Sequence, residues 1–373
     1  MKVLHVSTAA TWRGGEQQIA YLIEELFKRA TEQFVLFPKN SATEPSFRSL
    51  APSKACFPRR TGWDPYGAFQ LRSMCGRNGI DIIHAHDSHA HSYVVLSAVL
   101  FGNATPAVAS RRVAFPVGRG ATSRWKYNHK SVGTILCVSE YIRNLMRTTV
   151  VDANRLKVVY DGIDIKRFKS RESSILRTEY NLPRDRVLIG NVAAIAPEKD
   201  YRTFLRVAER LLQKGWDATF FVIGADGGEE RVIRNEVAAG RLENRVVLTG
   251  FREDVTTILP ELDLLLVTSK TEGLCTTVLD AYAAETPVVA TRAGGLAEIV
   301  RNQSTGLTAA VGEPAGLADA VEEVLSDHRL RARLVAEAGR FVRKFSKERT
   351  AEETLDLYRT TIGNSKIFGT NYR

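Results

Sequence analysis

Two carboxylates with seven residues between them, Glu272 and Asp280, have the most chemically informative spacing in the chain: Glu-Gly-Leu-Cys-Thr-Thr-Val-Leu-Asp. They follow the apolar run Leu262-Asp263-Leu264-Leu265-Leu266-Val267, short and bounded as a parallel strand buried on both faces should be. Glu272 is therefore expected just past a strand's C-terminal end. From Thr277 to Ala284 β-branching fades and alanine appears, and Pro287 follows, which predicts a helix beginning near Thr276. A strand, a Gly-containing turn and a helix N-terminus present unpaired amides and the positive end of a dipole to one point, a place for an anionic ligand. Taken alone, the pair would read as a solvated turn and an exposed helix position.

Other stretches also combine reactive residue types. Thr11-Trp12-Arg13-Gly14-Gly15-Glu16 precedes the periodic run Ile19, Leu22, Ile23, Leu26. A glycine pair between strand and helix lets backbone approach a ligand closely and leaves amides free for phosphate. It is not the GxGxxG fingerprint, and no acidic residue ends the next strand, so a dinucleotide oxidoreductase is disfavoured. The run His84-Ala85-His86-Asp87-Ser88-His89-Ala90-His91 raises a metal hypothesis, since imidazole and carboxylate suit zinc. Strand alternation puts His84 and His86 on one face only while the strand lasts, and His89 and His91, two apart on a helix, do not face one another. No metal is expected. His86 is expected at the strand's C-terminal edge, where open α/β sheets bind ligands, with the rest as helix-cap or surface residues. Arg111-Arg112 and the segment from Arg119 to Lys130, with Arg124, Trp125, Lys126 and Tyr127, interleave bases with aromatics. That composition fits an acceptor-binding or membrane-surface segment, and equally a solvated loop and helix with two packing aromatics.

The elements that must position these residues are those of a two-domain chain. At 373 residues the length exceeds one ordinary core, and 44% hydrophobic with 25% charged residues is a globular composition. No apolar run reaches transmembrane length, and Met1-Lys2 leads directly into a strand-like Val3–Ser7, which argues against a signal peptide. Cys56, Cys75, Cys137 and Cys275 lack metal-type spacing and are expected as reduced packing thiols in a cytoplasmic protein. Of the ten excess positive charges, nine fall in residues 1–165, where 21 Lys and Arg face 12 Asp and Glu. A one-sided basic domain points to an acidic partner such as anionic headgroups, or simply to solubility. Nothing resembles a zinc finger, an aromatic RNA-binding motif or a helix-turn-helix, so nucleic acid is not expected.

Strands are predicted at Val3–Ser7, Phe34–Phe37, Ile80–Ala85, Ala107–Ser110, Thr134–Val138 and Lys157–Tyr160, alternating with helices near Glu16–Arg29, Gly67–Asn78, Ala90–Phe101 and Glu140–Val150. A polar, proline-containing boundary between Asp164 and Arg186 is followed by a second winding. Its strands are Val187–Val192, Thr219–Ile223, Arg245–Thr249, Leu262–Thr268 and Pro287–Thr291, and helices close the chain at Ala315–Leu325, Leu330–Phe345 and Glu348–Thr361. The expected fold class is α/β, with two doubly wound, Rossmann-like parallel sheets facing a cleft.

From Val187 to Ser326 the order of motifs resembles the retaining nucleotide-sugar glycosyltransferases of family 4 (group 1), which have the GT-B fold. The matching pieces are Ala196-Pro197-Glu198-Lys199-Asp200, Gly224-Ala225-Asp226-Gly227, Leu248-Thr249-Gly250-Phe251, Pro260-Glu261-Leu262-Asp263, Thr271-Glu272-Gly273-Leu274, Ala284-Glu285-Thr286-Pro287-Val288-Val289-Ala290 and Gly294-Gly295-Leu296-Ala297-Glu298-Ile299-Val300. The first half is similar to the same family more loosely, through Gly14-Gly15-Glu16, the His-x-His, Val138-Ser139-Glu140 and Asp161-Gly162-Ile163-Asp164. The resemblance implies an N-terminal acceptor domain over 1–165, a donor domain over 166–345, and a final helix over 346–373 packing back on the first domain.

It also implies roles. The family's E-x7-E pair falls on Glu272, for the donor sugar's hydroxyls, and Asp280, for the ribose. Lys199 would neutralise the pyrophosphate, with the amides of Leu274, Cys275, Thr276 and Thr277 and that of Gly15 in support, and His86 would stand beside the anomeric centre. Phe251 and Arg252 join the expected donor site; Arg111, Arg112, Arg124, Trp125 and Lys126 are the acceptor or membrane candidates. The implied reaction is transfer of a hexose-type sugar from a nucleoside diphosphate to a glycolipid or polysaccharide hydroxyl, as in lipopolysaccharide or capsule synthesis. It needs no cofactor and no metal, and would occur in the cytoplasm or at the inner face of the membrane. Two departures stand out: Ala193-Ala194 replaces the family's Gly-Arg, so either Arg252 or another base supplies that charge or phosphate affinity is lower, and Asp280 is one methylene shorter than the usual Glu. The competing classes are a hydrolase or epimerase on the same scaffold, with the histidines carrying metal or acid/base work, and a non-catalytic nucleotide-sugar binder.

Overall fold

The computed structural model describes residues 1–50, 53–57, 63–118, 120–168 and 174–369; Arg119, residues 169–173 of the expected boundary and the side chain of Cys56 lie outside the described residues. The chain divides into two compact units, one of Met1–Gly162 with Lys347 onward and one of Ile163–Ser346.

The first unit is built on a seven-stranded sheet of β1 (Lys2–Val6), β2 (Glu32–Pro38), β3 (Ser53–Phe57), β4 (Ile82–Ala85), β5 (Ala107–Arg111), β6 (Val132–Cys137) and β7 (Leu156–Val158). Their order is β3-β2-β1-β4-β5-β6-β7, with every pairing parallel. Parallel strands need helical crossovers on both faces, so the central strands are apolar throughout: Val3, Leu4, Val6, Ile82 and Ile83 are fully buried. The histidines are the exceptions, and the register pairs His5 of β1 with His84 of β4. The helix Gly14–Phe27 buries Ile19, Leu22, Ile23 and Leu26, the stripe read from the sequence. The last helix, Lys347–Gly369, is tied to this unit by polar contacts. Thr361 and Thr134 share a hydroxyl hydrogen bond of 2.8 Å, Thr350 Oγ1 donates to Tyr160 O, and the buried Lys347 ammonium lies 3.0 Å from Glu24.

The second unit repeats the plan with β8 (Val187–Val192), β9 (Ala218–Ile223), β10 (Val246–Gly250), β11 (Leu264–Val267), β12 (Val288–Thr291) and β13 (Leu307–Ala309), ordered β10-β9-β8-β11-β12-β13. The amphipathic helix Tyr201–Gln213 lays Phe204, Val207, Ala208 and Leu211 into the same core as Phe220, Val222 and Leu264. Part of the family-like motif content is architectural here. Both oxygens of the buried Glu261 accept the amides of Leu176 and Arg177 at 2.9 Å, and Asp263 accepts the amide of Leu188. Among the described residues, no helix is long and apolar enough to cross a membrane.

The structure adds elements the sequence reading lacked, among them β3, β13 and the helices Glu44–Leu50, Ile175–Glu179, Glu230–Ala239 and Val255–Ile258. Each gives little periodic signal. β3 is a sheet-edge strand, Ser-Lys-Ala-Cys-Phe, β13 has three residues, and Glu230–Ala239 buries only Ile233 and Val237, one turn apart.

Gly224 marks where the chain leaving β9 runs flush against the chain leaving β8. A Cβ there would lie 2.0 Å from the carbonyl oxygen of Ala193, while its amide donates to Gly250 O at 2.9 Å. Gly224→Ala is therefore expected to destabilise the second unit by about 3 kcal/mol, the upper range for overpacking, read as a lowered denaturation midpoint in urea. An unchanged midpoint would show that this contact can yield.

Candidate functional site

Each sheet reverses its winding once, between β1 and β4 in the first unit and between β8 and β11 in the second. At such a point the loops leaving two adjacent strands run in opposite directions and open a crevice at the strands' C-terminal ends. In the second unit those loops are 193–200 and 268–275. Thr268 Oγ1 donates to Lys199 O at 2.9 Å and Asp200 O at 3.1 Å, and the amide of Lys270 donates to Glu198 O at 2.8 Å. Asp200, in the left-handed conformation at φ 51°, ends the short turn Pro197–Lys199 and accepts a hydrogen bond from Thr203 Oγ1.

These bonds set Lys199 against Glu272, with Nζ 2.6 Å from Oε1, and Ser269 Oγ donates to the same oxygen at 2.6 Å. The Gly294-Gly295 turn is held in place by the amide of Gly295, which donates to Glu272 O at 2.9 Å. Glu272 is buried and Lys199 half-buried. Burial works against the ammonium, but the Glu272 carboxylate outweighs it and holds Lys199 above its ordinary pKa. The two family-implied residues thus form one charge-assisted pair at the switch point.

Next along the chain, Cys275 takes the left-handed conformation (φ 77°), uncommon for a residue with a Cβ, and the helix Thr276–Ala283 starts without a side-chain cap. The amide of Val278 donates to Cys275 O at 3.1 Å, while those of Thr276 and Thr277 precede any intrahelical acceptor. Leu274 is buried beside it, and Thr277 Oγ1 donates to Val192 O at 3.1 Å, fastening this helix to the end of β8. Asp280 lies one turn further on, half-buried. Burial pushes its carboxyl up to about 7, with Arg167 opposing.

Other expected donor residues fare differently. Arg252 is committed to two carboxylates, to Glu179 at 2.9 and 2.7 Å and to Asp254 at 2.9 and 2.7 Å. Its charge is neutralised within the protein, which does not suit it to replace the missing arginine at Ala194. Ala193 meanwhile offers only backbone, its carbonyl accepting from Tyr201 Oη at 2.8 Å. Phe251 is 56% exposed at the end of β10.

In the first unit the switch point collects three histidines. Their ring nitrogens come within 4.8 Å of one another: His5 from β1, His84 from β4 and His86 just beyond it. The shared face of His84 and His86 was legible from alternation; His5 was not, since its neighbours lie 79 and 81 residues away and only the β1–β4 register brings them together. The set has the composition of a metal site, yet hydrogen bonds already use most of the ring nitrogens. His84 Nδ1 meets Tyr358 Oη at 2.5 Å and His84 Nε2 meets Ser110 Oγ at 2.7 Å; His5 Nδ1 meets His86 Nε2 at 3.0 Å and His5 Nε2 meets Gln33 Oε1 at 3.1 Å. Asp87 caps the helix Ser88–Phe101 and also accepts the amide and hydroxyl of Thr8. His89 is exposed, whereas His91, expected in a cap or at the surface, is buried edge-on to Tyr127.

Gly14 and Gly15 open the helix Gly14–Phe27, and a Cβ on Gly15 would meet nothing within 4 Å, so packing inside the chain does not require a glycine there. The basic segment needs a correction. Arg111 is buried, donating to Tyr127 Oη and Phe115 O, and Lys126 is buried with Nζ on Ser88 O, Ser88 Oγ and Ser92 Oγ. Both serve packing inside the unit rather than an interface, and burial, with Arg111 adding repulsion, pulls Lys126 down to about 8. Arg112 pairs with Asp161 at 3.3 Å. Arg124 and Trp125 are exposed, the indole stacking on Trp63 with centroids 6.2 Å apart.

Asp280 yields a stability test. Its folded-state pKa lies above the unfolded value, so as pH rises the unfolded chain loses this proton first, and stability falls from about pH 4 until the folded group titrates near 7. Asp280→Asn should therefore raise the melting temperature relative to wild type, and by more at pH 8 than at pH 5. A pH-independent difference would contradict the buried, raised carboxyl.

Known proteins resemble this chain in both sequence and fold. The family model described as glycosyl transferases group 1 matches residues 172–341, and that described as glycosyltransferase family 4 matches residues 12–167. The 2-deoxystreptamine glucosyltransferase of Streptomyces kanamyceticus is 32% identical over 213 residues, 56% of this chain and 54% of that protein, so the match spans about half of that relative's length. The N-acetyl-alpha-D-glucosaminyl L-malate synthase of Bacillus anthracis is 22% identical, with 80% of each chain covered. Among solved structures, Anabaena Alr3699/HepE in complex with UDP and glucose superposes with a TM-score of 0.83 at 19% identity, covering 96% of this chain and all of that one. With both halves matched in sequence and the whole chain matched in fold, this protein belongs to the family 4, group 1 glycosyltransferases and has their two-domain, Rossmann-like GT-B fold.

Proposed function

We propose that this protein transfers a hexose-type sugar from a nucleoside diphosphate to an acceptor hydroxyl with retention at C1. The observation that carries the reading is the Lys199–Glu272 pair at the β8/β11 switch point, beside the uncapped N-terminus of the helix Thr276–Ala283. An ammonium and free amides facing one crevice suit a pyrophosphate, and a buried carboxylate with one oxygen already engaged can accept sugar hydroxyls on the other. In this reading Asp280 takes the ribose hydroxyls and His86 a hydroxyl of the sugar. The bond from C1 to the phosphate oxygen breaks as the bond from C1 to the acceptor oxygen forms on the same face. The acceptor's proton passes to the departing phosphate, so neither a protein nucleophile nor a metal or cofactor is called for. Lys199 and the amides stabilise the charge that develops on the leaving group.

For the acceptor, the two relatives named above are a 2-deoxystreptamine glucosyltransferase and an N-acetyl-alpha-D-glucosaminyl L-malate synthase, and they favour no lipopolysaccharide or capsule substrate. A glycolipid acceptor at the cytoplasmic face of a membrane is supported by the basic bias of residues 1–165 and by the exposed Trp63–Trp125 stack beside Arg124.

Glu272→Gln should lower sugar transfer by on the order of 100-fold or more with an unchanged circular dichroism spectrum; unaltered turnover would remove Glu272 from the reaction. A thermal-shift panel of nucleoside diphosphates and nucleotide sugars should raise the melting temperature for one base family, because such a ligand binds only the native state. Flotation with liposomes tests the membrane part: binding is expected with anionic lipid at low salt, and protein that stays with the soluble fraction in both arms would rule out a membrane-borne acceptor.

A further inference from the structure

The histidine cluster contains a directional hydrogen-bond chain whose protons can be assigned from its buried end. Ile23 O, a backbone carbonyl, can only accept, so the group 2.8 Å from it is the Gln33 amide nitrogen, Nε2. That orients Gln33 Oε1 toward His5 Nε2, at 3.1 Å, and an amide oxygen also can only accept. His5 Nε2 therefore carries a hydrogen, and in a neutral ring His5 Nδ1 is a bare lone pair. Facing it at 3.0 Å, His86 Nε2 must be the donor, which leaves His86 Nδ1 bare as well. That last atom is fully buried and has no partner among the described residues. The rings are held neutral by burial, which lowers His5 to about 4 and His86 well below its ordinary value.

We infer that His5 and Gln33 are positioning residues that lock His86 in the tautomer with Nδ1 unprotonated, so that His86 serves only as an acceptor for a substrate hydroxyl. Resting on the glycosyl-transfer reading for the identity of that hydroxyl, this assigns His86 Nδ1 a direction: it takes a hydrogen bond from the hydroxyl and cannot give one, the single ring hydrogen being spent on His5. Gln33 is 2% exposed and His5 fully buried, and both stand behind His86, which is 6% exposed, in the hydrogen-bond chain. The backbone of His86 is held from the other side by Arg112, whose Nη1 donates to His86 O at 3.5 Å while its Nε pairs with Asp161. A metal held by His5, His84 and His86 between their facing nitrogens is the opposing arrangement, because it would need a lone pair on His86 Nε2, where the present chain puts the hydrogen.

The test uses full-length protein labelled with ¹⁵N-histidine. Two-bond ¹H–¹⁵N spectra, assigned with His5→Asn and His86→Gln, should show both rings neutral and protonated at Nε2 from pH 6 to pH 8. A His86 protonated at Nδ1, an imidazolium, or zinc retained stoichiometrically through purification would overturn the assignment. These readouts do not depend on the donor, so a wild-type protein that transfers no sugar would count against the glycosyl reading and not against the tautomer. In transfer assays His5→Asn, whose side-chain oxygen can still accept from His86 Nε2, should stay within about threefold of wild type. His5→Leu should lose roughly tenfold or more in kcat, the scale on which partners orienting a functional histidine act. Equal losses in the two variants would reduce His5 to a packing residue.

Discussion

A parallel sheet wound in both directions has one pair of neighbouring strands whose following loops must part, and in each unit of this protein the reactive side chains are concentrated there. The constraint is geometric. Right-handed crossovers send the chain after β8 to one side of the sheet and the chain after β11 to the other, leaving strand ends that no crossover covers. In the second unit the uncovered ends carry Lys199 and Glu272, and in the first they carry the histidines of β1 and β4. The apolar content of the central strands is what permits this. With Val3, Leu4, Ile82, Ile83, Leu264, Leu265 and Leu266 sealed on both faces, polar groups are tolerated only where the strands end or where they are fully hydrogen-bonded.

Around the Lys199–Glu272 pair, hydrogen bonds from Thr268, Ser269, Lys270 and Gly295 join three separate loops, so the pair is preassembled before any ligand arrives. Removing either charge leaves the other part-buried beside polar neighbours chosen for it, which is why the neutral isostere is the informative substitution at Glu272. Asp280 obeys the opposite logic. Burial shifts its carboxyl upward, and Arg167 opposes the shift without cancelling it. A carboxylate kept in an unfavourable environment in the free protein is one that incoming hydroxyl donors can relieve.

The first unit solves a different problem, how to bury three imidazoles without charge. It pairs them with one another and with Gln33, Ser110 and Tyr358, and the Gln33 amide oxygen, which can only accept, orders the ring protons of His5 and His86. Tyr358 comes from the last helix, which also anchors to Thr134 and Tyr160, so the C-terminal segment helps to build this cluster.

Much of this was legible in the residue order. Apolar runs bounded by glycine and proline marked the main strands, the 3.6-residue stripe at Ile19, Leu22, Ile23 and Leu26 marked a helix, and the residues from Leu262 to Asp280 marked a buried strand, a turn and a helix N-terminus. These features are local, and local sterics and periodicity are written in adjacent residues. What adjacent residues could not reveal are the contacts made by register and topology: His5 beside His86, Lys199 within 2.6 Å of Glu272, Arg252 spent on Glu179 and Asp254, and the burial of Arg111 and Lys126. A basic side chain in a polar-looking segment reads the same whether it faces water or serine hydroxyls. The sequence by itself determined which residue types stand at the strand ends. Only the tertiary structure decided which of them meet, because burial and pairing depend on chain segments far apart in sequence.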